Sequence, residues 1–212
     1  RRIDVARVQG ALDRVLQRAL QDSAFPGAYA VVGTHSGILA QAGVGHLDAD
    51  DPTVPDAKTL WDLASLTKVV GLTSGVMRLV QAGKLDIDSP VQRYLPEWTG
   101  QWKARVTVRH LLTHSSGLPA WRPLYKEATS PAQALALVLA TPLDTVPGVR
   151  MVYSDLGAIL LGQIVNRVAG VPFNVLATRE VFEPLGMRET TWLPPKSKLP
   201  RIAPTEIDPW RQ

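Results

Sequence analysis

The sequence predicts an α/β plus all-α chain, in which an antiparallel sheet is flanked by helices and a mainly helical region is inserted after it. Three observations carry this. Val5, Val8, Leu12, Val15, Leu16 and Leu20 recur at helical spacing with charges between them, so residues 3 to 20 form an amphipathic helix that must cover something apolar. Two strand-like runs, Ala28 to Val32 and Gly37 to Val44, flank Gly33-Thr34-His35-Ser36 and read as a hairpin turning near Ser36-Gly37. Beyond residue 60, apolar runs at helical spacing alternate with Pro and Gly stops. The chain accordingly divides into residues 1–82, the sheet part with the helix that starts at Ser65, and residues 83–212, a helical region ending in a proline-rich loop.

Composition narrows the function classes. With 212 residues, 45% hydrophobic and 20% charged, the chain is an ordinary globular one with enough length for a real core. The formal charge of +4 is scattered rather than gathered into a basic, aromatic-laced stripe, which argues against a nucleic-acid partner. No cysteine is present, which excludes thiol catalysis and a cysteine zinc site. No apolar run approaches the roughly 18 residues that span a bilayer. No signal-peptide pattern stands out, and the sequence selects neither a periplasmic or secreted location nor a cytoplasmic one.

Taken in order, the hairpin is followed by an Asp/Pro-rich loop, Asp48 to Asp56, whose acids lack calcium-loop spacing. His35 and His46 read as surface residues. From Ser65 to Leu79 the apolar residues predict one helix, stopped at Gly83. Ser89-Pro90 has the pattern of an N-cap followed by a first helical residue. Val106 to Pro119 reads as a short capped helix and a loop, and Ser130-Pro131 opens a helix over residues 131–140. Another helix runs from Leu156 to Val168 and stops at Gly170, with Ser154 or Asp155 as its cap. A last helix runs from Val171-Pro172 toward Glu183. After Trp192, prolines 194, 195, 200, 204 and 209 predict an extended loop without regular structure.

One stretch carries chemistry. Ser65 and Lys68 stand three residues apart at a helix start, on one face, with Cβ atoms roughly 5–6 Å apart. A serine hydroxyl is a weak nucleophile until a base takes its proton. Lysine serves as that base only if burial or nearby positive charge lowers its pKa, so Leu63, Leu66 and Val69 are expected to keep the surroundings partly dry. A helix N-terminus also offers backbone N–H groups to an oxyanion. Since a chain of this length holds on the order of one Ser-x-x-Lys by chance, the spacing alone is weak evidence. His114 beside Ser115 and Ser116 invites a Ser-His reading, but adjacent residues rarely reach the required geometry and no G-x-S-x-G elbow exists. Tyr153 alone reads equally well as a packed aromatic.

Four ordered segments are more specific. Ser65-Leu66-Thr67-Lys68, the run Val108 to Leu118, Tyr153-Ser154-Asp155 and Phe182 to Met187 together resemble serine β-lactamases of class C type and the related penicillin-binding proteins and esterases. The resemblance covers essentially the whole chain, including the hairpin. It implies a β-lactamase/transpeptidase-like fold and a serine hydrolase that acylates Ser65 with an ester, amide or β-lactam, without metal or cofactor. Lys68 is then the proton acceptor, Tyr153 the second acid/base, and Asp155 a substrate-binding residue. The alternatives are a non-catalytic or slowly deacylating penicillin- or peptide-binding module and a D-alanyl-D-alanine carboxypeptidase-like enzyme.

Two departures stand out. The family's second motif usually ends in asparagine, and a carboxylate at Asp155 is expected to raise the pKa of Lys68. Nothing after Trp192 resembles the third motif, a Lys-Thr-Gly or His-x-Gly strand, and the family's C-terminal strands are missing. A C-terminal segment or a second chain is therefore expected to complete the sheet and the site, and so to cover an exposed strand edge.

Overall fold

The computed structural model describes residues 3–48 and 50–205. The chain divides into two compact units, Arg1–Asp62 with Leu193–Gln212, and Leu63–Trp192. The Ser65 segment thus groups with the helical residues that follow it.

In the first unit, helix α1 (Val5–Gln21) is capped by Asp4, whose carboxylate accepts the Arg7 N–H at 3.1 Å. Strands β1 (Gly27–Thr34) and β2 (Gly37–Gly45) pair antiparallel in the register Gly27↔Gly45 to Thr34↔Gly37, which leaves His35 and Ser36 as the two-residue turn. A bulge between Val32 and Gly33 adds Leu39 to the second strand. Ala40 and Val44 are buried on β2 while Gln41 between them is exposed, as expected for a strand covered on one face. Helix α1 packs on β2, but only Leu16 is buried on it, and Val5 and Val15 are exposed. The amide of Gln9 donates to Gln41 O and accepts from Gln41 N, both at 3.2 Å. A side chain thus satisfies both backbone groups of one β2 residue and blunts that part of the strand edge.

The proline-rich tail is more ordered than its composition predicts. Lys196–Arg201 forms a 3₁₀ turn with Pro200 inside it, and Leu60 bridges Ile202 in parallel. The turn tolerates Pro200 because its bonds run from Lys198 N to Pro195 O and from Ile202 N to Leu199 O, and neither needs a donor at position 200. Pro209 lies outside the described residues.

The second unit is helical, built around helix α6 (Asp155–Ala169). It comprises, in chain order, α2 (Ser74–Gln81), α3 (Val108–Leu112), the short α4 (Leu124–Glu127), α5 (Pro131–Ala140), α6 and α7 (Phe173–Ala177). Leu156, Leu160, Leu161, Ile164 and Val165 are buried on α6 at helical spacing, facing α2, α3, α5 and α7. Burying five such side chains contributes on the order of 10 kcal/mol before conformational entropy is charged against it. Ser154 caps α6 by accepting the Gly157 N–H, and Gly170 closes it with a left-handed φ of 69°. Thr107 and His110 form a reciprocal capping box on α3. No single helix among the described residues is long and apolar enough to cross a membrane.

Two local expectations are corrected. Residues 65–79 are not one regular helix: a 3₁₀ turn, Ala64–Leu66, leads into a π-helical stretch, Lys68–Thr73, and only then into α2. Hydroxyls hold the wide turns, Thr73 Oγ1 donating to Lys68 O (2.8 Å) and Ser74 Oγ to Val69 O (3.2 Å). Gly71 makes room for the Trp192 indole, since a Cβ there would lie 2.9 Å from its ring. Ser89 caps no helix. Its hydroxyl donates to Asp86 Oδ2 and accepts from Arg93 Nη1, and Pro90 is the residue flanking a 3₁₀ turn at Val91–Arg93.

Candidate active site

The chemistry-bearing residues converge in the second unit from three stretches: the 3₁₀-to-π segment, the loop after α3, and the start of α6. Lys68 Nζ donates to Ser65 Oγ at 2.9 Å. The same nitrogen pairs with Asp155 Oδ1 at 2.8 Å, and stands 5.0 Å from the centroid of the Tyr153 ring. Ser65, Lys68, Tyr153 and Asp155 are therefore brought together, with the first two on one short helical stretch and the last two at the N-terminus of α6. Ala64, just before Ser65, has a positive φ of 42°, a conformation that costs a non-glycine residue energy and is concentrated at functional sites.

The expected apolar shelter around this pair is largely missing. Leu66 is 57% exposed and Val69 61%, and Leu63 is half-buried. The 3₁₀-to-π geometry rotates side chains away from the positions a regular α-helix would give them.

The electrostatics follow the carboxylate. Burial disfavours the Lys68 ammonium and is the largest single influence, but hydrogen bonds and charge from Asp155 and Tyr153 together outweigh it, so the lysine pKa is raised. That is opposite to the lowering a lysine base requires, and it follows the direction expected from Asp155. The Tyr153 phenol moves the other way. Its pKa is lowered, first by the hydrogen bond from Ser65 and then by that from Lys68. The arrangement therefore holds an ammonium, a serine hydroxyl and a carboxylate in one bonded group beside a tyrosine whose phenol pKa is lowered.

His114 joins the site by a route the sequence reading passed over. Its Nδ1 accepts the Ser154 N–H at 3.1 Å, and its ring lies 4.5 Å from that of Tyr153 at an interplanar angle of 40°. Its two serine neighbours are engaged elsewhere: Ser115 Oγ with Thr113 Oγ1, and Ser116 Oγ with the Leu118 N–H. The Ser-His pairing is thus not formed. The signal for His114 lay in the Val108 to Leu118 run itself, where it was weighed only against its neighbours in sequence.

Asp155 is engaged with Lys68 and its backbone N–H donates to Ala120 O at 2.7 Å, while its side chain remains half exposed. Among the described residues no group of three or more His, Asp and Glu side chains could hold a metal ion.

The chain is similar to known proteins over most of its length. A family model described as Beta-lactamase matches residues 12–211. Esterase EstB of Burkholderia gladioli is 34% identical over 208 residues, covering 88% of this chain and 52% of its own length. A putative D-alanyl-D-alanine carboxypeptidase of Escherichia coli K12 is 31% identical over 174 residues, covering 75% of this chain and 40% of the relative. Among solved structures, a class C beta-lactamase superposes with a TM-score of 0.80 at 25% identity, over 95% of this chain and 55% of that one. The chain spans about half the length of these relatives. A family model that matches nearly the whole chain and a structural neighbour that superposes on 95% of it show that the chain belongs to the Beta-lactamase family.

Proposed function

We propose that the chain carries the acylation machinery of a serine hydrolase, with Ser65 attacking the carbonyl of an ester in preference to an amide or a β-lactam. The observation that carries the reading is the Ser65 Oγ to Lys68 Nζ hydrogen bond of 2.9 Å, with the Tyr153 ring 5.0 Å from the same ammonium and its phenol pKa lowered by Ser65 and Lys68. Because the raised pKa keeps Lys68 an ammonium that donates to Ser65 Oγ, the serine proton is directed to Tyr153. The phenolate accepts that proton as Oγ bonds to the carbonyl carbon. Lys68 stabilises the negative charge. The tetrahedral intermediate collapses, and Tyr153 returns the proton to the departing alcohol. In the second half Tyr153 takes a proton from water, hydroxide adds to the acyl carbonyl, and Ser65 Oγ leaves and is reprotonated by Tyr153.

Two things favour an ester. The relative at 34% identity is named an esterase, and the Lys68 charge is already paired with Asp155 rather than open to the carboxylate of a β-lactam or peptide. A further segment of polypeptide or a second chain, completing the sheet and supplying the other oxyanion N–H, belongs to the same reading. It is supported by the 55% coverage of the class C neighbour. A monomer of 23.1 kDa that turns over ester unaided overturns that part of the reading.

The central test is labelling by a fluorophosphonate together with turnover of a p-nitrophenyl ester. Both should be present in the protein joined by its completing segment or chain, and Ser65→Ala in that protein should abolish the labelling and cut turnover by about 10⁴-fold or more, toward background. Unchanged turnover in Ser65→Ala would remove the assignment. Labelling without turnover would favour a slowly deacylating binding module.

A further inference from the structure

We propose that His114 is the positioning residue of this site: its neutral imidazole, accepting the Ser154 N–H through Nδ1 and packed on the Tyr153 ring, holds the Tyr153 phenol against Ser65 and Lys68. The activity readout below rests on the hydrolase reading, and the geometry does not.

Tyr153 is 48% exposed, so core packing does not fix its ring. What brackets it is one residue. On one side of Tyr153, Val152 donates its N–H to the His114 carbonyl at 2.8 Å. On the other side, Ser154 donates its N–H to the His114 ring at 3.1 Å. The ring between these two anchors lies 4.5 Å from the phenol ring. Neighbouring bonds continue the same seam, from Ser154 Oγ to Pro119 O and from Asp155 N to Ala120 O, both 2.7 Å.

His114 can present its carbonyl and its ring to the same segment because its backbone is left-handed, with φ at 54°. Histidine is among the few non-glycine residues enriched there, and such strain persists only where the surroundings over-determine it. Gly117 fixes the loop behind it. Its φ is 87°, and a Cβ would stand 2.2 Å from Thr145 O.

A backbone N–H can only donate, so Nδ1 is the acceptor and the ring proton resides on Nε2. An imidazolium would set N–H against N–H. The groups facing the ring are Lys68, Asp155 and the Tyr153 ring. Burial and then the Lys68 charge work against protonation, Asp155 works for it, and the balance lowers the imidazole pKa. His114 and Lys68 also line one small cavity with Leu72, Thr73, Leu111 and Leu161, so the two groups share a wall.

Two variants of the full chain separate the contributions. In His114→Asn the amide oxygen can replace Nδ1 as acceptor, and in His114→Phe the ring is kept but the acceptor is lost. Both are followed by fluorophosphonate labelling of Ser65 across pH and by titration of tyrosinate absorbance, with Tyr153→Phe identifying the signal of that phenol. His114→Phe should slow labelling about 10- to 100-fold, the cost of a small misplacement of a reacting group. Its Tyr153 phenol should titrate back toward the ordinary value of 10.0. His114→Asn should stay within about threefold of wild type, keep the lowered phenol pKa, and lose less activity in acid because no ring protonates.

If His114→Phe labels at the wild-type rate with an unmoved phenol, the proposal is overturned. If His114→Phe does not fold, His114→Asn decides: a folded variant whose phenol has returned to the ordinary range overturns the proposal, and one with the lowered value supports it. If no protein labels, including wild type joined by its completing segment or chain, the hydrolase reading fails, while the phenol titrations still support or overturn the positioning role.

Discussion

Lys68 and Lys103 belong to the same unit, and each ammonium stands near an aromatic ring, Lys68 at 5.0 Å from Tyr153 and Lys103 at 5.3 Å from Trp98. Their pKa values shift in opposite directions. Lys103 is 3% exposed, donates to the Leu139 carbonyl at 2.7 Å, and has its pKa lowered by burial. Lys68 feels burial too, as its largest single influence, yet ends raised because Asp155 and Tyr153 add to the other side. The difference teaches that a neutral carbonyl and a ring face do not offset the loss of water around an ammonium, whereas a carboxylate at 2.8 Å does. In the candidate site the carboxylate therefore holds the lysine charged, and Ser65 first and that lysine second lower the Tyr153 phenol pKa.

The sharpest way to break this comparison is Asp155→Asn, which makes Lys68 resemble Lys103. Without the carboxylate, burial is opposed only by Tyr153, and the Lys68 pKa falls. The phenol falls with it, because the Asp155 charge works to raise the Tyr153 pKa. A lower pKa means that the deprotonated form persists to lower pH, so the acid limb of kcat/KM for a p-nitrophenyl ester should move down. The pair is partly exposed, so solvent screens the effect and the rate on that limb should change by no more than about tenfold. An acid limb that stays in place at constant ionic strength would show that Asp155 does not govern the charge of the site.

What the sequence made legible were relations along one stretch of chain. The i to i+3 spacing of Ser65 and Lys68 survives in the structure, and so do the hairpin and the cap at Ser154, because each depends on neighbours a few residues away. The π-helical turns were not legible, since the apolar spacing of Leu66, Val69 and Val70 suits an α-helix as well, and the hydroxyl bonds from Thr73 and Ser74 that widen the turns leave no mark on that spacing. The exposure of Leu66 and Val69 follows from the same turns. His114 was hidden for a different reason. Its partner, Ser154, lies 40 residues away, and a reading confined to adjacent serines could not find it. Lys103 was invisible as a buried group because Trp102-Lys103-Ala104-Arg105 has the composition of a solvated turn.

The smaller test acts on the other lysine. In the folded chain the Lys103 pKa lies below its ordinary value of 10.5. Below the folded value both states hold the proton, and the burial penalty is fully present. Between the folded value and 10.5 the folded state has released its proton while the unfolded chain retains it, so stability rises with pH. Above that window both are neutral and the contribution is constant. Lys103→Met keeps the apolar stem and removes the titration. Relief of the penalty is set against a donor lost from Leu139 O, so the two proteins should differ by no more than about 1 kcal/mol at neutral pH. On raising the pH toward 10.5, the urea midpoint of the wild type should gain on that of the variant. A difference between the midpoints that does not change with pH would mean that burial leaves Lys103 untouched, and the contrast with Lys68 would then owe nothing to the missing carboxylate.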